Sequence, residues 1–253
     1  MAQFKQSFAW WSFSRGVTDP ASFLRSARQI GYEGVELLPP ELWDKALDVG
    51  LVIASEGIGS LTHGLNRREH HATIEEEFHH KLELVDRYKI RNLIVFSGNR
   101  MGLDDEEGLQ VTIEGLRRLA PAAESQGVTL VLELLNSKVD HPDYQCDHTS
   151  WAFRAIEAVA SPRVKILYDI YHMQIMEGDI IRTMHQIAGQ IGHVHTAGNP
   201  GRQDLDQDQE LNYPALMHTL DKDGYSGFVG QEFVPKGDSL EALRKAFRLC
   251  TVR

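Results

Sequence analysis

Eight short apolar runs recur along the chain: Gln6–Phe13, Gly34–Leu38, Leu51–Ile58, Asn92–Phe96, Val128–Leu135, Val164–Ile170, Gly192–Ala197 and Gly227–Val234. They are too short for typical helices, and several are rich in β-branched and aromatic residues, so the pattern predicts strands. Between them lie polar loops and stretches with apolar residues at helical spacing. Pro20–Ile30 has Asp19 at the N-cap and Pro20 at the first helical position. Leu42–Val49 stops at Gly50, and Glu75–Tyr88 spaces Phe78, Leu82 and Val85 at helical intervals. Gly108–Gln126 does the same with Leu109, Ile113, Leu116 and Ala120, and stops at Gly127. Ser150–Ala160, Asp179–Ala188, Tyr213–Asp221 and Ser239–Cys250 complete the set, the last capped by Asp238 or Ser239.

Strand–helix alternation without a hairpin signal means parallel strands joined by crossover helices, an α/β protein. A doubly wound open sheet competes, but eight repeats in 253 residues favour a closed (β/α)8 barrel, a single TIM barrel domain over 1–253. The least regular stretches, Gly59–His71, Ser137–His148 and Asn199–Leu211, all follow predicted strands, where barrel enzymes carry their functional loops.

Charge narrows the partners. Lys and Arg number 26 against 36 Asp and Glu, a net −10 that repels phosphate backbones and disfavours nucleic acid. No apolar run approaches the roughly 18 residues of a membrane span, and the start MAQFKQSFAWWSFSRG does not read as a signal peptide. Cys146 and Cys250 make no disulfide framework and read as free thiols, so a cytoplasmic protein is expected.

In a barrel the chemistry collects at the carboxyl ends of the strands. Four successive runs carry polar groups there: Glu133 in VTLVLELLN, Asp169 in VKILYDIYH, His195 in IGHVHTAG and Glu232 in GFVGQEFVP. A carboxylate in an apolar strand is costly unless compensated. Basic partners are few, since Lys165 lies early in its strand and Lys236 follows its strand. One divalent cation is the simplest compensation, because it offsets the mutual repulsion and takes four ligands. Three oxygen donors and one nitrogen suit a fairly hard ion, Mn²⁺ or Mg²⁺, with Co²⁺ next and Zn²⁺ lower in the absence of a thiolate.

These same stretches carry a family resemblance. YDIYHMQIMEG at Tyr168–Gly178, IGHVHTAGNPGR at Ile191–Arg202 and VGQEFVPKGD at Val229–Asp238 resemble the hydroxypyruvate isomerase family. That family lies within the xylose-isomerase-like group of TIM barrels, which includes the tagatose epimerases. The resemblance is strong over 128–238 and continues more weakly toward the N-terminus, where GYEGVELLPP resembles the group's second-strand signature. It implies a (β/α)8 fold and one divalent metal on Glu133, Asp169, His195 and Glu232. It also implies that Glu133 and Glu232 are the catalytic acid/base pair, and that His172 and Arg202 bind substrate. Members of the family often form homo-oligomers. One position departs from the isomerase pattern: the seventh-strand ligand is His195, as in the epimerases, where isomerases often carry glutamine. The third-strand loop SEGIGSLTHGLNRREHHATI departs as well.

The reaction this points to is hydroxypyruvate to tartronate semialdehyde, a step of carbohydrate metabolism. A ketose 3-epimerase or a 2-oxo-tetronate isomerase would use the same machinery. Each needs a carbon acid to lose a proton near neutral pH, with a metal stabilising the enediolate and paired carboxylates moving the proton. The expected partner is therefore a small keto acid or sugar. An abasic-site DNA endonuclease on the same barrel is a different class, needing several zinc ions, more histidine ligands and a basic groove. A non-catalytic sugar-binding barrel has no need of paired glutamates. No glycine-rich phosphate loop appears.

Further candidates surround this set. Glu36 in GVELLPP either binds a substrate hydroxyl, orients a pocket histidine or forms a buried ion pair. His63 in SLTHGLN is a candidate substrate contact, with a loop role as its alternative. His193 alternates with His195, shares its side of the strand and reads as a supporting residue. Asn136 lies three past Glu133, within reach of a supporting partner. Trp11 or Phe13 is placed to wall off a substrate, although core packing is the default for Trp10–Phe13. His70, His71, His79 and His80 read as a solvated helix side.

Overall fold

Each strand of the sheet pairs in parallel with the next in sequence, and the last strand returns to the first to close the barrel. The computed structural model describes residues 4–252; residues 1–3 and 253 of the expected 1–253 domain lie outside the described residues. The strands are β1 (Lys5–Ala9), β2 (Gly34–Glu36), β3 (Val52–Ile58), β4 (Asn92–Val95), β5 (Thr129–Glu133), β6 (Val164–Asp169), β7 (Ile191–Thr196) and β8 (Phe228–Gln231). The helices are α1 (Trp10–Phe13), α2 (Pro20–Ile30), α3 (Trp43–Asp48), α4 (Arg68–Tyr88), α5 (Asp105–Gln126), α6 (Thr149–Val159), α7 (Ile170–Met176), α8 (Ile180–Gln186), α9 (Tyr213–Lys222) and α10 (Ser239–Leu249). This is the expected single TIM barrel. Among the described residues, no helix is long and apolar enough to cross a membrane.

Local chemistry sets the helix ends. The Asp19 carboxylate caps α2 by accepting from the Ser22 N–H at 3.1 Å. Asp104 caps α5 by accepting from the N–H groups of Glu106 and Glu107. That helix ends at Gly127, whose φ of 70° is the left-handed cap conformation that glycine adopts without strain.

Side chains two apart on a strand share a face, and inside the barrel this stacks unlike layers. Ile94, Val131 and Leu167 form a buried apolar floor with Leu37 and Phe96 packed against it. Glu133 and Asp169 follow Val131 and Leu167 by two residues and so stand on that floor, toward the carboxyl ends.

Three expectations change. The apolar run Gln6–Phe13 is not all strand: pairing ends at Ala9, and Trp10–Phe13 turns into a helix closed by Ser14 N–H donating to the Trp10 carbonyl at 2.9 Å. A short apolar run does not by itself separate strand from buried helix. Ile170, placed with the sixth strand, instead opens α7. Finally, α4 begins at Arg68, and His71 is buried with its Nε2 2.8 Å from the Leu65 carbonyl, so it is not part of a solvated tract.

Candidate active site

The barrel brings Glu133, Asp169, His195 and Glu232 to one point. Glu133 and Asp169 are the last residues of β5 and β6, His195 is the penultimate residue of β7, and Glu232 directly follows β8. Asp169 and His195 are register partners, as are His195 and Gly230. All four are buried, and one ligand atom from each lies within 4.8 Å of the others. His195 Nδ1 is the centre, at 3.3 Å from Glu133 Oε1, 3.4 Å from Glu232 Oε2 and 3.9 Å from Asp169 Oδ2.

Glu36 defines how His195 is held. It is fully buried, and its Oε2 lies 3.0 Å from His195 Nε2, 2.8 Å from His193 Nε2 and 2.6 Å from the Ser55 hydroxyl, while Oε1 accepts from the Ser7 hydroxyl. Burial works against its charge, but the two histidines overcome it and hold the Glu36 carboxyl well below the usual range. With both oxygens engaged, Glu36 is a support for His195 rather than a substrate contact. His193 completes the support, its Nδ1 2.9 Å from the Asn92 amide nitrogen.

The Glu36 carboxylate accepts only, so His195 Nε2 donates to it. This leaves Nδ1 facing three carboxylates, and it is a buried atom without a hydrogen-bond partner. A lone pair pointed at carboxylates needs a cation or a proton between them. Burial opposes charge on His195, yet Glu232 and Glu36 outweigh it and raise the imidazole well above its ordinary value. Burial also raises Glu133, and raises Asp169 to about 7. These residues therefore fit a divalent cation, which would take the place of the protons that otherwise neutralise the cluster.

Glu232 is held from two sides. Trp11 Nε1 donates to Oε1 at 3.1 Å and Arg202 donates to Oε2 at 2.7 Å. Burial opposes its ionisation, but His195 and Arg202 keep it well below the usual carboxylate range. The Arg202 guanidinium lies 5.2 Å from the Trp11 ring and 5.8 Å from the Tyr171 ring, and its Nε is buried without a partner. Trp11 is 43% exposed and so forms part of the mouth, whereas Trp10 and Phe13 are buried in the core, Phe13 edge-on to Phe233 at 5.0 Å.

His172 sits on α7, three residues past Asp169, whose carboxylate accepts from its N–H at 2.8 Å. Its Nε2 is buried without a partner, 3.9 Å from Asp169 Oδ2. Burial and Arg202 lower its basicity well below the histidine norm. His141, on the loop after β5, is not singled out by the sequence reading. Its ring lies 5.2 Å from that of His172 and its Nε2 is also buried and unpartnered. Its position eight past Glu133 in an irregular strand-end loop is the sequence signal that marks it. His63 is not brought here: it is exposed on the loop after β3, with its ring 5.1 Å from His70.

A family model described as xylose isomerase-like TIM barrel matches residues 24–250. The Escherichia coli protein named hydroxypyruvate isomerase is 31% identical over 245 residues, 90% of this chain and 93% of its own length. A Homo sapiens protein named putative hydroxypyruvate isomerase is 35% identical over 133 residues, covering 53% of this chain and 48% of that protein. A 2-oxo-tetronate isomerase from Pectobacterium atrosepticum is 32% identical over 142 residues, 56% of this chain and 53% of its own length. The match thus spans about half the length of two of these three relatives. Among solved structures, a Brucella melitensis protein named AP endonuclease, family 2, superposes with a TM-score of 0.86 at 26% identity, covering 95% of this chain and 97% of that one.

Proposed function

Because this chain belongs to the xylose isomerase-like TIM barrel family, we propose that it is a metal-dependent isomerase moving a proton between adjacent carbons of a small hydroxy-keto acid. Hydroxypyruvate to tartronate semialdehyde is the leading reaction. The observation that carries this reading is the unpartnered His195 Nδ1 facing Glu133, Asp169 and Glu232. Relatives named hydroxypyruvate isomerase and 2-oxo-tetronate isomerase support the substrate class.

A cation held by Glu133, Asp169, His195 and Glu232, Mn²⁺ or Mg²⁺ with Co²⁺ next, would supply Lewis-acid stabilisation of charge developing on substrate oxygens. Glu133 and Glu232 are the acid/base pair. One takes the proton from C3 of hydroxypyruvate, giving an enediolate; a proton returned to C2 and transfer of the C3 hydroxyl proton to the C2 oxygen complete tartronate semialdehyde, with the aldehyde at C3 and the hydroxyl at C2. The Trp11 indole and Arg202 fix the orientation of the Glu232 carboxylate, so less reorganisation is needed when it acts. Arg202 and His172 point unpartnered polar atoms into the site and bind substrate oxygens. Asp169 acts as a ligand.

The name of the Brucella protein raises a nuclease reading. The other histidine-bearing group, Glu36, His193 and His195, is closed by its own hydrogen bonds, and the chain carries a net −10 charge. Both favour the isomerase.

The test is a panel of hydroxypyruvate, 2-oxo-tetronate and ketohexoses with Mn²⁺ or Mg²⁺ in deuterated water. Deuterium uptake next to the carbonyl of a keto acid supports the reading. Absence of exchange on every substrate with metal bound, or nicking of abasic DNA, overturns it.

A further inference from the structure

Asn136 holds a constrained position behind His172. Its Oδ1 accepts from the backbone N–H groups of Val139 at 3.0 Å and Asp140 at 2.9 Å. Backbone N–H groups can only donate, so the amide cannot be flipped and the atom on the other side is Nδ2. That nitrogen has two hydrogens and two partners, Asp140 Oδ2 at 2.6 Å and His172 Nδ1 at 2.6 Å. The amide donates to Nδ1, so Nδ1 carries the lone pair, and the proton of the neutral ring is on Nε2. This is the buried atom left without a partner beside Asp169.

We propose that Asn136 is a positioning residue that fixes His172 in the Nε2–H tautomer, so that this imidazole meets the substrate as a hydrogen-bond donor and cannot take a proton from it. A neutral donor of this kind strengthens its bond as negative charge grows on a substrate oxygen and needs no proton transfer of its own. The mechanistic part rests on the isomerase reading; the tautomer does not. The assignment also limits the acid/base work to the carboxylates, since His172 has no basic nitrogen facing the site.

The test uses protein labelled with ¹⁵N-histidine and loaded with diamagnetic Mg²⁺. Long-range proton–nitrogen correlation spectra distinguish the two tautomers, and a His172→Gln sample identifies the His172 signals. A protonated Nε2 and bare Nδ1 are expected. In Asn136→Asp the new carboxylate accepts instead of donating, and Nδ1 gains the proton. In the neutral ring this leaves the lone pair on Nε2. The introduced carboxylate would also repel Asp140, so Asn136→Asp/Asp140→Asn restores a donor between the two positions while keeping the inverted ring. With hydroxypyruvate, both variants should lose tenfold or more in kcat/KM, carried mainly by kcat, and the double variant should melt close to the parent.

A wild-type His172 protonated on Nδ1, or an unchanged ring in Asn136→Asp, overturns the proposal. So does an inverted ring in a double variant that turns over at the parental rate. If the parent protein acts on none of the keto acids, the function assigned above fails while the spectra still decide the tautomer.

Discussion

Glu36 on β2 and His195 on β7 meet across the barrel interior, with Oε2 3.0 Å from Nε2 and both side chains fully buried. The pair sets the direction of His195: with Nε2 committed to the carboxylate, Nδ1 is the nitrogen offered to Glu133, Asp169 and Glu232. Carboxylates in this position orient a ligating imidazole and raise its basicity, and losing one typically weakens metal affinity about 10- to 100-fold. Glu36→Gln should therefore lower Mn²⁺ affinity by that order in calorimetric titration. It should also lower the melting temperature, because two buried histidines lose a charged acceptor. Unchanged Mn²⁺ binding would show that Glu36 does not orient the ligand.

Gly230 makes room for this pair. A Cβ built there lies 2.2 Å from Glu36 Oε1 and 3.0 Å from His195 Cδ2. Gly230→Ala should destabilise the fold by about 1–3 kcal/mol, the range for overpacking a filled interior, and should weaken Mn²⁺ binding with it. Chemical denaturation and metal titration on the same sample check both; a stable variant with normal metal affinity contradicts the packing argument.

How far the site can be read from sequence follows from what each residue costs its strand. Glu133, Asp169, His195 and Glu232 stand out because a charged group in an apolar strand needs a reason, and the barrel gives all four the same end. Glu36 stands out for the same reason, but its partners do not: Ser7, Ser55 and His193 become neighbours only when β1, β2, β3 and β7 close around one interior. Trp11 is a candidate wall in the sequence, but its bond to Glu232 is hidden, because the apolar run through Phe13 has no mark where pairing stops at Ala9. Asp140 and His141 lie in a loop without period, so periodicity says nothing about which of its side chains turn inward. His63 shows the converse: a histidine in a strand-end loop attracts notice, yet its loop leaves it exposed.

Glu232→Gln keeps the size of the side chain and removes its capacity to accept a proton. Turnover should fall by at least the roughly 10²–10⁴-fold that a positioned acid or base contributes, with the circular dichroism spectrum unchanged. A near-parental rate of deuterium exchange would remove Glu232 from the acid/base pair.

The metal-free protein should grow less stable as pH rises from 6 to 8. Burial raises Asp169 to about 7, so between its unfolded value near 4 and 7 the folded chain binds the extra proton. Glu232 and Glu36 raise His195 against the pull of burial, so above the unfolded value of about 6.5 it too holds a proton that the unfolded chain lacks. Where the folded state binds more protons, stability falls with rising pH. Glu36 and Glu232 shift the other way at lower pH, where unfolded carboxyls take up protons. His172 and His141, held below the histidine norm by burial, offset part of the fall near pH 6, so the fall is steepest from pH 7 to 8. A divalent cation displaces the same protons, so its affinity and its stabilisation should increase from pH 6 to pH 8. Melting curves with chelator and with Mn²⁺ at the two values test this; a chelator-treated protein more stable at pH 8 contradicts it.

Arg202 combines two contacts and one free donor that depend on its shape. It donates to Glu232 at 2.7 Å, lies 5.2 Å from the Trp11 ring and keeps a buried, unpartnered Nε. Lysine preserves the charge but has neither the planar face nor the second donor direction. Arg202→Lys should therefore bind Mn²⁺ normally yet lose about 10- to 100-fold in kcat/KM, the scale of a misplaced reacting group. Trp11→Phe retains the ring face and removes the indole donor, so it should slow turnover less than Arg202→Lys does. If Trp11→Phe proves the more damaging of the two, the orientation of Glu232 depends on its Oε1 contact rather than on the guanidinium.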